Sequence, residues 1–372
     1  MREIKRQLMM VVLLCLALAA TGAAQTVPAS ADLQAKVDER LNAAVKANQF
    51  SGAVLIARDG RVLVSKGYGM ANLETETPNT PQTIFRLGSI TKQFTATAIM
   101  MLQEQGKLSV QDSICKYVAG CPAAWQSITL HHLLSHTGGV PNFTSFPDYE
   151  KTMTLPTTVE ALIARFKDKP LDFQPGEKWS YSNSGYVLLG HVIEKVSGQS
   201  YEAFLQERIF TPLGMKSTGY EHQEKVLPHR AAGYMPQGNA MANARYLDMT
   251  IPFSAGALYS TVEDLYLWDQ ALYTEKLLPK KSLDAMFTPV KNNYGYGWGI
   301  DNRQGLKAIA HGGGIDGFVT FIARYPDAKA VIIVLCNNMR ANPGAVVRDL
   351  AKMALADKMT PAASDKATST KQ

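Results

Sequence analysis

The chain has 372 residues, 46% hydrophobic and 19% charged, an ordinary globular balance with enough apolar material for a sizeable core. Its formal charge of +6 is spread along the sequence, and Arg2, Lys5 and Arg6 less Glu3 account for part of it. No basic run with interleaved aromatics occurs, which excludes nucleic acid as a partner, although a mild positive balance suits anionic envelope surfaces.

The first cations precede an apolar run from about Leu8 to Ala20 and then Gly22-Ala23-Ala24. That order is the one of a secretory signal peptide, and the run falls short of the roughly 20 apolar residues of a spanning helix. The sequence therefore predicts cleavage after Ala24 and a periplasmic or secreted protein without a stable membrane anchor. Cys15 lies behind Leu14 and lacks the small preceding residue of a lipid-anchor signal. Of the other cysteines, Cys115 and Cys121 could close a small loop through Gly120 and Pro122 in an oxidising compartment, whereas Cys336 reads as a small apolar residue ending a strand.

Asp32 to Asn48 has helical periodicity, and the runs 52–58 and 61–65 flank Asp59-Gly60, a strong hairpin signal. A polar loop from Asn72 to Pro81 follows. Then comes Arg86-Leu-Gly-Ser-Ile-Thr-Lys-Gln93, with Gly88 and Ser89 reading as a helix start and an apolar run from Phe94 to Leu102 behind it. A helix apolar on all sides is a buried one, so Lys92 stands on its first turn against a core that disfavours charge. Helices are expected at 129–135, 157–166, 184–196 and from Ser260 to about Tyr273, while 215–250 gives no clear pattern. Strands follow at 294–300, 306–310, 318–325 and 330–335. A helix closes the fold at about 343–356, and a tail from 358, poor in large apolar residues, reads as disordered.

Strands at both chain ends with helices between them predict an α+β fold. One antiparallel sheet, from about 32–85 and 250–357, would carry a helical insert at about 89–250. The Ser89 helix would stand at the boundary of the two parts, where clefts form.

Residues three apart share a helix face, so the Lys92 amine can reach the Ser89 hydroxyl. Burial lowers a lysine pKa and makes it a base for an otherwise weak alcohol nucleophile. Ser113-Ile-Cys-Lys116 has the same spacing but lies in a polar segment without an apolar helix behind it, and reads as coincidence. Tyr181-Ser-Asn183 precedes a helix. Tyr181 could relay a proton if a nearby ammonium lowered its pKa, and Asn183 could bind a substrate amide. His311-Gly-Gly-Gly314 follows a strand, where glycines let a substrate backbone approach closely. His136-Thr-Gly138 is a rival match in a different setting.

These three motifs, in this order, make the chain resemble the serine β-lactamases and penicillin-recognising enzymes. The likeness is greatest to the branch of class C β-lactamases, D-alanyl-D-alanine carboxypeptidases, D-aminopeptidases and esterases. It extends over about residues 32–357, and Leu133-Leu-Ser-His-Thr-Gly-Gly-Val-Pro141 looks like the marker loop of that branch. The resemblance implies a β-lactamase/transpeptidase-like fold and a Ser89 nucleophile. Lys92 and Tyr181 would share the proton work, and the backbone N–H groups of Ser89 and Gly314 would form an oxyanion hole. Asn183, His311, Gly313 and Gly314 would bind substrate, with no cofactor and no metal.

His311 stands where most β-lactamases of the family carry a lysine that faces the antibiotic carboxylate. A histidine of ordinary pKa is mostly neutral at pH 7.5 and cationic below about pH 6, so small esters or D-amino-acid peptides, some derived from peptidoglycan, are expected ahead of β-lactams. The competing readings have less support. An α/β-hydrolase needs a Gly-x-Ser-x-Gly elbow that is absent, and a metal site at His131, His132 and His136 lacks an acidic partner at zincin spacing. A catalytically silent cell-wall-binding protein would have lost motif residues that are all present.

Overall fold

The computed structural model describes residues 31–360 apart from position 304; the expected signal peptide and the tail beyond 360 lie outside these residues. Helix α1 (Ala31–Lys46) leads into strands β1 (Gly52–Arg58) and β2 (Arg61–Tyr68), joined at Asp59-Gly60 as the hairpin signal predicts. The buried helix α2 (Thr91–Glu104) follows, then α3 (Asn183–Ser197) and α4 (Val262–Ala271). Strands β3 (Gly299–Arg303), β4 (Leu306–Ile315), β5 (Phe318–Tyr325) and β6 (Ala330–Cys336) precede the closing helix α5 (Pro343–Ala354).

The six strands form one antiparallel sheet in the order β3-β4-β5-β6-β1-β2, so both chain ends build it. Because successive side chains of a strand face opposite ways, Ala53, Leu55 and Ala57 of β1 enter the core shared with the helical region. Val54 and Ile56 enter the core under α1 and α5. Burial on both faces explains the unbroken apolar runs of β1 and β6. Cys336 is a free buried thiol at the end of β6, as expected, and Cys115 is bonded to Cys121.

Several elements differ from the sequence reading. Residues 294–298 form no continuous strand: Tyr294 makes only isolated bridges to Lys291 and Gly299, Asn292, Asn293 and Gly297 hold left-handed φ of 51°, 55° and 77°, and the pairing with β4 starts at Gly299. Conversely, β4 does not stop at Ala310 but runs through His311-Gly-Gly-Gly314, with Gly312, Gly313 and Gly314 opposite Phe321, Thr320 and Val319. Ser260 ends a short strand and it is Thr261 that caps α4, accepting from the Asp264 N–H. The stretch around 215–250 contains two short pairings, Gly219–Tyr220 with 258–259 and a hairpin of Tyr234–Gln237 with Ala240–Asn243. Beyond α5, Lys358 N–H donates to Leu355 O and Met359 packs on the outer core.

Candidate active site

Ser89 occupies a single 3-10 turn, Gly88–Ile90, immediately ahead of α2, so Lys92 is the second residue of the helix proper. The turn is pressed against β4. A Cβ on Gly313 would come within 2.0 Å of Leu87 O, and Thr320 Oγ1 donates to that same carbonyl at 2.7 Å. Gly88 has a φ of +55° and a Cβ there would meet Gly314 N at 2.9 Å. The glycine run thus lets a strand lie beside the Ser89 turn, bringing Gly314 and Ser89 into the lining of one cleft of about 180 Å³.

Lys92 is fully buried. Its Nζ lies 3.1 Å from Ser89 Oγ and donates to Asn183 Oδ1 at 2.8 Å and to Ala255 O at 2.9 Å. The Tyr181 and Tyr186 rings stand 4.8 and 5.4 Å from it. Among the described residues no carboxylate pairs with it, and burial drives its pKa well below the usual lysine range. Ala255 belongs to a buried turn, Phe253–Gly256, wedged between α2 and α3: Thr95 Oγ1 donates to Ser254 O, and Ser254 Oγ donates to Tyr186 O.

Asn183 opens α3, which Ser182 caps by accepting from Gly185 N–H. Both ends of its amide are engaged, Oδ1 by Lys92 and Nδ2 as donor to Thr144 Oγ1 at 3.0 Å, while its backbone N–H donates to Asn142 Oδ1. The loop at 142–144 therefore supports the site, a role that no local sequence signal announces. Tyr181 lies beside Ser89, whose hydroxyl favours the phenolate, yet burial outweighs this and raises its pKa. The expectation that a neighbouring ammonium would lower it fails: burial is the larger effect, and the same burial lowers the pKa of Lys92.

His311 is brought beside Tyr181, their rings 6.4 Å apart. Its Nε2 bonds the Tyr294 hydroxyl at 2.8 Å and its Nδ1 lies 2.6 Å from Gly312 O. Burial, with the nearby Lys92, pushes its pKa down to about 4. A cationic His311 below about pH 6 is therefore corrected: the ring stays neutral until far more acid conditions.

The sequence reading missed a role for His136, which it set aside as a rival motif. Its carbonyl accepts Ser180 N–H at 3.0 Å and its Nδ1 accepts Ser182 N–H at 3.2 Å, while its ring lies 4.3 Å from that of Tyr181. Ser113, by contrast, caps a 3-10 turn, accepting from Cys115 N–H and donating to Gln126 O, and Lys116 pairs with Asp112. His131 bonds the Tyr296 hydroxyl, and His132 completes the capping box with Thr129.

A serine hydroxyl beside a buried amine of lowered pKa, with a phenol in reach, is an arrangement for acyl transfer. Comparison with known proteins agrees. Penicillin-binding protein 4* of Bacillus subtilis (strain 168) is 33% identical over 315 residues, covering 78% of this chain and 68% of that protein. The octameric penicillin-binding protein homologue from Pyrococcus abyssi superposes with a TM-score of 0.78 at 31% identity, over 89% of this chain and 78% of that one. The D-stereospecific amidohydrolase from Streptomyces sp. superposes with a TM-score of 0.74 at 29% identity, over 87% and 98%. The family model described as Beta-lactamase matches residues 35–357, and the chain thus belongs to the beta-lactamase family as a serine hydrolase with the β-lactamase/transpeptidase-like fold.

Proposed function

We propose that the protein is exported and cleaves amide or ester bonds through an acyl-enzyme on Ser89, taking D-amino-acid peptides or small esters ahead of β-lactams. The observation that carries this reading is the surroundings of the Lys92 amine. A neutral amine has two N–H groups and one lone pair. Asn183 Oδ1 and Ala255 O can only accept, so they take the two hydrogens and leave the lone pair for Ser89 Oγ.

Lys92 then accepts the hydroxyl proton as Ser89 Oγ adds to the substrate carbonyl carbon. The oxyanion that forms faces the backbone N–H groups of Ser89 and Gly314, where fixed donors stabilise it without reorganisation. As the C–N or C–O bond breaks, Tyr181 passes its hydroxyl proton to the leaving group and takes one from Lys92. Its raised pKa suits a relay that stays protonated at rest. Water repeats the sequence and frees Ser89. Asn183 anchors Lys92, and a contact to the substrate amide would exchange its bond to Thr144. His311 and Gly313 border the strand edge along which a substrate backbone would lie.

The neutral state of His311 disfavours a β-lactamase role, because it leaves an antibiotic carboxylate without a cation at this position. The D-stereospecific neighbour supports D-configured substrates. Export rests on the leader sequence; among the described residues no helix is long and apolar enough to cross a membrane. Intact-mass spectrometry after exposure to D-amino-acid peptides, short esters and β-lactams tests the reading. An acyl adduct on the wild type that is missing from Ser89→Ala is the expected result, and an adduct that survives the substitution overturns it.

A further inference from the structure

We infer that Thr144 and Asn142 are positioning residues that set the polarity of the Asn183 amide and, through it, aim the Lys92 lone pair at Ser89. The inference rests on the Ser89 reading above and adds two residues that no motif marks. Its basis is a chain of hydrogen bonds in which every donor is fixed. The backbone N–H of Asn183 can only donate, so the Asn142 atom that it meets at 3.0 Å is the amide oxygen. That oxygen can only accept, so Thr144 Oγ1, also 3.0 Å from it, directs its single hydrogen there. Thr144 then offers Asn183 lone pairs alone. This turns the Asn183 amide nitrogen toward Thr144, at 3.0 Å, and the amide oxygen toward Lys92, at 2.8 Å.

The loop is anchored so that this order holds. Phe143 is buried, its N–H donates to Ser184 Oγ, and Ser184 Oγ donates in turn to Pro141 O, which pins the turn Phe143–Ser145 to α3 one residue beyond Asn183. Asn142 Nδ2 closes the turn by donating to Ser145 Oγ at 3.0 Å. Reversal of the Asn183 amide would put a donor against Lys92. The amine would then accept from Asn183, and its lone pair would be lost to Ser89 without any movement of the lysine. An apolar side chain at 144 permits that reversal, because it no longer distinguishes the two ends of the amide. A substrate amide carbonyl, which also only accepts, preserves the working polarity when it takes the Nδ2–H in place of Thr144.

The test is the saturation kinetics of labelling by a simple alkyl fluorophosphonate, read by intact mass, since this probe has no amide carbonyl to stand in for Thr144. Thr144→Val should lower kinact about two- to tenfold, the worth of one neutral hydrogen bond, and leave KI nearly unchanged. It should also move the acid limb of the pH profile to lower pH, because a donor on the lone pair favours the uncharged amine. Tyr181, Tyr186, His136 and His311, the other titratable groups around Lys92, are untouched by the substitution. Thr144→Ser keeps the hydroxyl and should recover most of the rate and the wild-type profile, and Thr144→Ala repeats the measurement if Thr144→Val does not fold. Equal losses in Thr144→Val and Thr144→Ser, no loss in Thr144→Val, or a loss with an unmoved pH profile overturns the inference alone. A wild type that takes no label on Ser89 overturns the Ser89 reading on which the inference stands, so the two failures are distinct.

Discussion

His136 brackets Tyr181: its carbonyl takes the N–H before the tyrosine, its Nδ1 takes the N–H after it, and its ring lies against the phenol ring at a tilt of 38°. A nitrogen that accepts a backbone N–H carries no proton, so the ring is the Nε2–H tautomer. Burial, with Lys92 and His311 close by, holds its pKa well below the usual histidine range. Nε2 is buried with no hydrogen-bond partner, which leaves Nδ1 and the ring face as the useful parts. Asparagine can place an acceptor near the Nδ1 position and tolerates the left-handed φ of 58°. His136→Asn should therefore keep much of the acylation rate, whereas His136→Leu lowers kcat by about tenfold or more with little change in KM. Equal losses in both variants would reduce His136 to a packing role.

Ser89 and Ser113 share a spacing to lysine but not a setting. Ser89→Ala should abolish labelling by a fluorophosphonate or penicillin probe. Ser113→Ala, which removes a cap worth about 1 kcal/mol, should leave labelling intact and lower the melting temperature slightly. Gel fluorescence and a thermal melt check both outcomes, and a label retained in Ser89→Ala would end the mechanism.

Much of this site was legible because its chemistry sits in contiguous motifs with strong local context. Ser89 and Lys92 are marked by the apolar α2, and Tyr181 with Asn183 by the cap of α3. What stayed hidden depends on contacts between segments far apart in the chain. Nothing local to Ala255, Thr144 or Tyr294 announces that each meets Lys92, Asn183 or His311. The continuation of β4 through the glycine run was missed for the same reason: the glycines allow the close approach of Leu87 to Gly313, visible only once β4 is in place. The pKa of Tyr181 was misjudged because burial acts on phenol and amine together, raising one and lowering the other.

Lys92→Met should keep the fold and lower turnover by about 10²- to 10⁴-fold, the usual worth of a positioned general base. Its stem packs in the core, and Asn183 and Ala255, which line the cleft, can rebind water when the amine is gone. A base must be unprotonated to work, so kcat/KM rises as pH climbs through the pKa of Lys92 and levels off above it. Because burial lowers that pKa, the rise should lie well below the range of a free lysine. A circular dichroism spectrum beside an ester assay separates this outcome from unfolding, and full activity in the variant would assign the base to another group.

His311 tests both the substrate preference and the electrostatics of the cleft. With a pKa of about 4 in the folded chain and about 6.5 when unfolded, the ring binds a proton more readily in the unfolded state. Stability is therefore intact above about pH 6.5, declines as pH falls toward 4, and levels off below it, with His311 contributing roughly 3 kcal/mol to the loss. Urea denaturation across this range should show the decline, and His311→Gln should lessen it. The same neutrality means that β-lactam acylation does not improve near pH 6. Placing a fixed cation there should act instead: His311→Lys is expected to raise the cephalosporin-to-ester ratio of kcat/KM by about ten- to a hundred-fold at constant pH, the worth of one charge-assisted hydrogen bond to the antibiotic carboxylate. The uncharged ester controls for damage to Ser89 and Lys92, since both substrates use the same acylation machinery. A ratio that stays flat would mean that the carboxylate subsite lies away from His311, and that the Tyr294 bond merely braces β4.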